Sequence, residues 1–239
     1  MKRMLGFIVI SLSISVLTGC LYPDERLAKN RIPHKQQLDA VQDAVNQYQT
    51  NRGVLPIENR DKDTSIYIKY PINFNKLVPR YLPEPPGNSF ENGGVFQYVL
   101  VNVEKDPKVK LVDLEAVEVV KDYKMKLRLY LQRNDYPPYR DVLANGRYTL
   151  DHKKLGYKEQ PVVKSPYTGN NLPLIVDGEN NVYIDYAMDL YKALNEKEHA
   201  YKKGDDIRDL LMKDSPFVPA YSVPYTLEEG EPVFLFKDS

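Results

Sequence analysis

Two stretches of the chain place an apolar residue at every third or fourth position. Leu38, Val41, Val45 and Tyr48 lie three, four and three residues apart, and Val120, Tyr123, Leu127 and Tyr130 repeat that spacing. With 3.6 residues per turn, such a pattern lines one face of an α-helix, so both stretches are predicted amphipathic helices. Gly53 and Asn134, each followed by prolines, end them. Elsewhere the period drops to two. Val95-Phe96-Gln97-Tyr98-Val99 and Val182-Tyr183-Ile184-Asp185-Tyr186 alternate as strands do, each after a polar turn: Glu91-Asn92-Gly93-Gly94 before the first, Asp177-Gly178-Glu179-Asn180-Asn181 before the second. A further antiparallel pair is expected from Val95–Val103 and Val109–Leu114, joined by Lys105-Asp106-Pro107. Met188, Tyr191 and Leu194 begin a third helical stripe, which Gly204 is expected to close. Asp206, Ile207, Leu210 and Leu211 suggest one more short helix. Ser215 to Pro232 carries four prolines and reads as an irregular arm, ending in a largely buried strand Val233-Phe234-Leu235-Phe236.

The helical stripes lie 82 residues apart, and the same offset links Pro56 to Pro138, Gly87 to Gly169 and Asn88 to Asn170. At Tyr98 and Tyr183 it slips to 85, which needs a small insertion in the second copy. The expected fold class is therefore α+β: a tandem repeat of two helix-plus-small-antiparallel-sheet units with a C-terminal helical and irregular arm. The expected boundaries are 36–112 for the first unit, 113–187 for the second and 188–239 for the arm. Strands do not alternate with crossover helices, which argues against a doubly wound sheet.

The repeated unit resembles the globular head of type II secretion pseudopilins: helix, Pro/Gly-Asn loop, aromatic strand. The matching residues are Tyr48 with Pro56, Pro86-Gly87-Asn88 and Phe96-Gln97-Tyr98, and in the second copy Tyr130 with Pro138, Gly169-Asn170 and Val182-Tyr183-Ile184. Pseudopilins carry a long hydrophobic helix continuous with the head. No such helix is expected here, so the resemblance implies a similar head and not filament assembly. The whole chain also resembles the YphF-type lipoproteins of Bacillus relatives, a resemblance that supplies no activity.

The N-terminus sets the expected compartment. Lys2 and Arg3 precede an uncharged run from Leu5 to Leu17. Thirteen residues make a helix of about 20 Å, too short for about 30 Å of bilayer hydrocarbon and suited to a secretory signal. Leu17-Thr18-Gly19-Cys20 then resembles the lipobox of bacterial lipoprotein precursors. That resemblance implies cleavage between Gly19 and Cys20 and diacylglyceryl lipid on the Cys20 thiol, with acylation of the new terminus giving palmitate-type anchoring. Residues 1–19 would be a cleaved signal and 20–35 the lipidated cysteine and its tether. Cys20 is the sole cysteine, so an exported chain could not use it for an internal disulfide. The expected location is the extracytoplasmic face of a cell membrane, in a Gram-positive or Gram-negative host.

Charge narrows the partners. Without residues 1–19 the chain has 31 basic and 33 acidic residues, a balance that argues against nucleic acid. The aromatic set is 19 Tyr, 7 Phe and no Trp, which suits half-buried sheet faces.

Catalytic signals are missing from the sequence. His34, His152 and His199 are scattered and form no metal-binding pair. No nucleophile elbow or phosphate loop occurs. Asp177, Glu179, Asn181 and Asp185 could offer oxygens to Ca²⁺, but Asp-Gly-Glu-Asn-Asn is also a tight turn, the preferred reading. Asp205, Asp206 and Asp209 are expected to cap a helix N-terminus. No catalytic residue, metal site or cofactor is expected, and no ligand-binding residue stands out. The leading functional expectation is a membrane-anchored, non-enzymatic interaction or assembly module of the cell envelope, binding a protein or wall polymer. A solute-binding lipoprotein of a transporter is the alternative, and an envelope hydrolase ranks last.

Overall fold

The computed structural model describes residues 35–144 and 146–236. The signal segment, Gly19, Cys20, most of the tether and His34 lie outside the described residues.

Helix α1 spans Lys35–Arg52 and buries Val41, Ala44 and Val45, the face read from the sequence. It stops at Gly53, whose φ of 71° lets its N–H reach back to the Gln49 carbonyl. The chain then runs irregularly, with short 3-10 turns at Phe74–Lys76 and Phe90–Asn92, before strands β1 (Phe96–Val101) and β2 (Lys108–Asp113). These two pair antiparallel, Phe96 opposite Asp113 and Val101 opposite Lys108, as the sequence pattern requires. Period-two alternation gives the hairpin two buried faces. Phe96, Tyr98 and Leu100 pack with α1, while Val99 and Val101 face the other way onto Tyr67, Val117, Val218 and Ala220.

Asp113 caps helix α2 (Leu114–Leu131), accepting the N–H groups of Glu115 and Ala116. The α2 face of Val120, Tyr123 and Leu127 lies on a second sheet. That sheet contains β3 (Tyr139–Ala144), β4 (Arg147–Leu150), β5 (Val162–Lys164), β6 (Asn171–Asp177) and β7 (Val182–Ile184). β6 is central and pairs antiparallel with β4, β5 and β7. The architecture is α+β with small antiparallel sheets.

Each of the two expected units holds a helix and a strand after a polar turn, but β1 pairs with the strand that follows it and β7 with the one that precedes it, and the segments between helix and strand differ. Residues 53–95 form only isolated bridges such as Ile57 with Ile72, where the second unit builds β3 to β6. Gly169 sits at φ 74° in the turn before β6, whereas its sequence counterpart Gly87 is not left-handed.

The C-terminal part departs from expectation in three places. Helix α3 covers Ala187–Glu196 and does not continue to Gly204, because Lys197 is already extended. Arg208–Met212 is a 3-10 turn. The arm also holds an unexpected strand, β8 (Tyr225–Glu228), which pairs with β9 (Glu231–Phe234). The final strand thus begins before Val233, its residues are only partly buried, and Phe236 beyond it is exposed. The hairpin turn puts Glu229 and Gly230 at positive φ, a tight reversal that proline-rich flanks obscured.

Between the 3-10 turn and β8 the arm crosses both units. Leu111 of β2 donates its N–H to the Pro216 carbonyl and accepts from Val218, and Ile184 of β7 donates to the Tyr221 carbonyl. Both contacts are parallel bridges, so one extended segment is added to the edge of each sheet in turn. Lys110 reinforces the first, its Nζ donating to the carbonyls of Met212 and Ser215 at 2.8 and 2.7 Å.

Candidate functional site

The residues singled out in the sequence are occupied with structural work. Asp177 Oδ1 accepts the N–H groups of Glu179 and Asn181 at 2.9 and 2.8 Å, and Oδ2 accepts Asn181 Nδ2 and the Tyr183 hydroxyl. Burial alone would raise its pKa, but these hydrogen bonds outweigh it and hold the carboxyl below the usual range. Asp185 turns the other way, accepting from Ala187 N–H at the start of α3 and from the Tyr225 hydroxyl. The tight-turn reading describes this segment. Among the described residues no group of His, Cys, Asp and Glu is placed to hold a metal ion.

The second acidic group divides by role. Asp205 accepts from Lys202 N–H, Asp209 from the Tyr201 hydroxyl, and only Asp206 reaches the backbone of the 3-10 turn, at Arg208 N–H. Asp206 also grips the Arg208 guanidinium, Oδ1 to Nε at 2.9 Å and Oδ2 to Nη2 at 2.5 Å. Arg208 is 7% exposed, and its Nη1 donates to the buried Ser222 carbonyl. The guanidinium lies 5.0 Å from the Tyr67 ring centroid. First unit, 3-10 turn and arm therefore meet at one cation. Of the histidines, His152 is half-buried with an unpartnered Nδ1, and His199 is exposed and stacks on Tyr201.

Asp189 is a buried acid without a local sequence signature. Its carboxylate accepts the hydroxyls of Ser165 and Thr168 at 2.7 and 2.6 Å, and burial raises its pKa. It pins the loop between β5 and β6 to α3, with both oxygens engaged.

Among the described residues two open clefts of about 580 Å³ each stand out, beside a smaller one of about 290 Å³ next to Asp189. The first lies where three parts of the chain meet. Ile68, Val95 and Val112 come from the first unit, Leu114 and Val117 from α2, and Tyr221 from the arm. Phe90, 64% exposed, stands on its rim, with Arg60, Glu118 and Lys121 around it. Arg60 is held there by Gln97 (2.9 Å) and Lys121 by Glu118 (2.7 Å). The second cleft is lined by Ile66, Tyr67, Tyr70, Val101 and Met212, with Glu104, Lys105, Asp106 and Asp209 at its edge. An apolar floor under a charged rim suits the docking of an apolar side chain flanked by polar contacts. Sequence reading missed both, because each draws on residues more than 100 positions apart. The one readable signal was Phe90 beside Glu91-Asn92-Gly93-Gly94, an aromatic residue placed at a polar turn.

No helix among the described residues is long and apolar enough to cross a membrane. No curated protein and no solved structure matches the chain. Residues 34–113 match the YphF family N-terminal domain; the first unit is similar to that domain, which supports a YphF-type protein.

Proposed function

We propose that this chain is an extracytoplasmic lipoprotein, anchored to the cell membrane through lipid on Cys20, that acts as a non-enzymatic docking module for an envelope protein or wall polymer. The observation that carries the reading is the first cleft: open, floored by apolar residues from both units and the arm, and edged by the protruding Phe90. Exposed aromatic anchors over apolar pockets are the usual centres of protein interfaces. An enclosed solute site would surround most of its ligand and converge polar groups upon it. Here the rim cations Arg60 and Lys121 are already bound to neighbours. The lipobox Leu17-Thr18-Gly19-Cys20 supports the anchor, and the tether reaching only to Lys35 would keep α1 near the bilayer. We also read the two units as copies of one ancestral head, supported by the 82-residue register and the matching buried faces of α1 and α2.

The test is crosslinking in cells followed by mass spectrometry, with wild type, Cys20→Ala and Phe90→Asp compared. A dominant partner that disappears in both variants is the expected result. Phe90 is exposed, so its replacement leaves the core intact. A wild-type sample without any partner would sink the proposal, as would a partner retained in both variants.

A further inference from the structure

The two clefts differ in charge, and the difference specifies a ligand. At the first, Arg60 and Lys121 offset Glu115 and Glu118. At the second, three acids, Glu104, Asp106 and Asp209, face one lysine, Lys105. Asp106 pairs with Lys108 at 2.9 Å, but both side chains are more than half exposed, so the pair is weak and easily exchanged. Glu104 has no ion-pair partner among the described residues, and Asp209 Oδ1 receives only the Tyr201 hydroxyl. This carboxylate edge has acceptor capacity to spare.

A second observation is independent of the acids. Tyr67 lines this cleft and is 3% exposed, yet its hydroxyl has no hydrogen-bond partner among the described residues. One ring face is taken by Arg208. Burial pushes its pKa up, which keeps the phenol neutral. The Tyr67 Oη is not among the fully buried oxygens that lack a partner, so water reaches it, and a ligand donor can take that water's place without breaking a protein hydrogen bond. Next to it, Ile66 is 61% exposed and Val101, Tyr70 and Met212 supply apolar wall.

We infer that the second cleft, between the Asn102–Asp106 turn and the 3-10 turn at Arg208–Met212, receives a lysine side chain of a partner protein. The aliphatic stem of the lysine packs on Ile66, Tyr70 and Met212, and its ammonium donates to the Tyr67 hydroxyl and to the carboxylates at the edge. A lysine fits this description better than an arginine. Its stem covers apolar surface while a compact head with three donors meets acceptors spread around a cleft, whereas arginine needs a planar, bidentate partner. This inference rests on the docking reading above, and names the chemistry of the partner.

The test uses the full chain in phosphatidylcholine nanodiscs, with empty discs as the blank. The probe is a labelled peptide carrying one lysine between two leucines, with a twin in which that lysine is Nε-acetylated, both followed by fluorescence anisotropy. The lysine peptide should bind about fivefold more tightly than its twin, and the ratio should shrink between about 50 mM and about 500 mM salt. Glu104→Gln and Asp209→Asn should each bring the ratio toward one. Glu104 is exposed, and asparagine at 209 keeps an oxygen for Tyr201, so both variants should fold. Equal binding of the two peptides would overturn the inference, as would no binding of either or a ratio unmoved by both substitutions. A cellular partner found by crosslinking together with equal peptide binding would leave the docking function standing and remove this site from it.

Discussion

Replacing Arg208 with methionine should loosen the C-terminal arm, because that guanidinium bonds the 3-10 turn to Ser222 and stacks on Tyr67 of the first unit. Three losses add. The Ser222 carbonyl, buried and now without its Nη1 donor at 3.0 Å, costs about 1–2 kcal/mol. The fork to Asp206 is discounted, since that carboxylate is 36% exposed and water can replace the cation; it contributes about 0.5–1 kcal/mol. Stacking over Tyr67 at 5.0 Å adds about 0.5–1 kcal/mol, part of which methionine restores by contact. The sum is about 3 kcal/mol, which for a chain of this size lowers Tm by about 6–12 °C. Differential scanning calorimetry on wild type, Arg208→Met and Arg208→Lys measures it. Lysine keeps the charge and loses the fork, so it should fall between the other two. If Arg208→Met melts within about 2 °C of wild type, the joint contributes little and the reasoning fails.

Other consequences follow from close contacts and buried ionisable groups. An added Cβ at Gly94 would stand 2.2 Å from the backbone carbon and oxygen of Asn88, so Gly94→Ala should cost more than about 4 kcal/mol or prevent folding. Gly178→Ala, which meets nothing within 4 Å, should melt like wild type in the same thermal scan. Burial pushes Tyr98 and Tyr123 up to about 12 from 10.0. Their contribution is full below the unfolded value near 10 and is lost as pH rises through about 12. Absorbance titration should therefore find these phenols ionising together with loss of circular dichroism, and ionisation at pH 10 with the fold intact would contradict this. Asp177 has the opposite sign. Its lowered pKa stabilises the fold above the unfolded carboxylate value, and the benefit disappears as pH falls through the folded one. Asp177→Asn should flatten the acid limb of a Tm-against-pH curve and cost about 1 kcal/mol at neutral pH.

What the sequence made legible is what periodicity encodes. The buried faces of α1 and α2, the β1–β2 hairpin and strand β7 all follow from runs of apolar residues at period 3.6 or 2. The β3–β4 hairpin also has a sequence signal, since Asn145-Gly146 between Val142-Leu143 and Tyr148 is a strong turn dipeptide. Other features had no local signature. Arg208 stands among Asp205, Asp206 and Asp209 and looks solvated in one dimension; only the fold brings Tyr67 and Ser222 to it. Helix α3 is shorter than its stripe predicts: Gly204 is a plausible stop, but the chain leaves the helix after Glu196, where Lys197 is extended. β8 was hidden because prolines at 219 and 224 suggested irregular structure, although Tyr225 to Glu228 are free to pair. The clefts could not be foreseen at all, because their walls are assembled from residues that meet only after the arm is placed.

That dependence ties the proposed function to the fold. Tyr221, held at φ 56° between the arm's contact with β2 and its contact with β7, forms part of the first cleft. Asp209 and Met212, from the 3-10 turn that leads into the arm, form part of the second. Neither cleft is complete without the C-terminal segment, and the bonds that hold that segment include those of Leu111, Ile184, Lys110 and Arg208 and of the Tyr186 and Tyr225 hydroxyls. A partner seated in either cleft touches the arm and the first unit together, so it binds the assembled state and not one with the arm released. By mass action such a ligand stabilises the latched arrangement by RT ln(1 + [L]/Kd), about 2.7 kcal/mol at a hundredfold excess over Kd. That is nearly the loss assigned to Arg208→Met. Partner binding and the Arg208 joint therefore act on one equilibrium, and weakening the joint should weaken the partner's affinity even though Arg208 lines neither cleft.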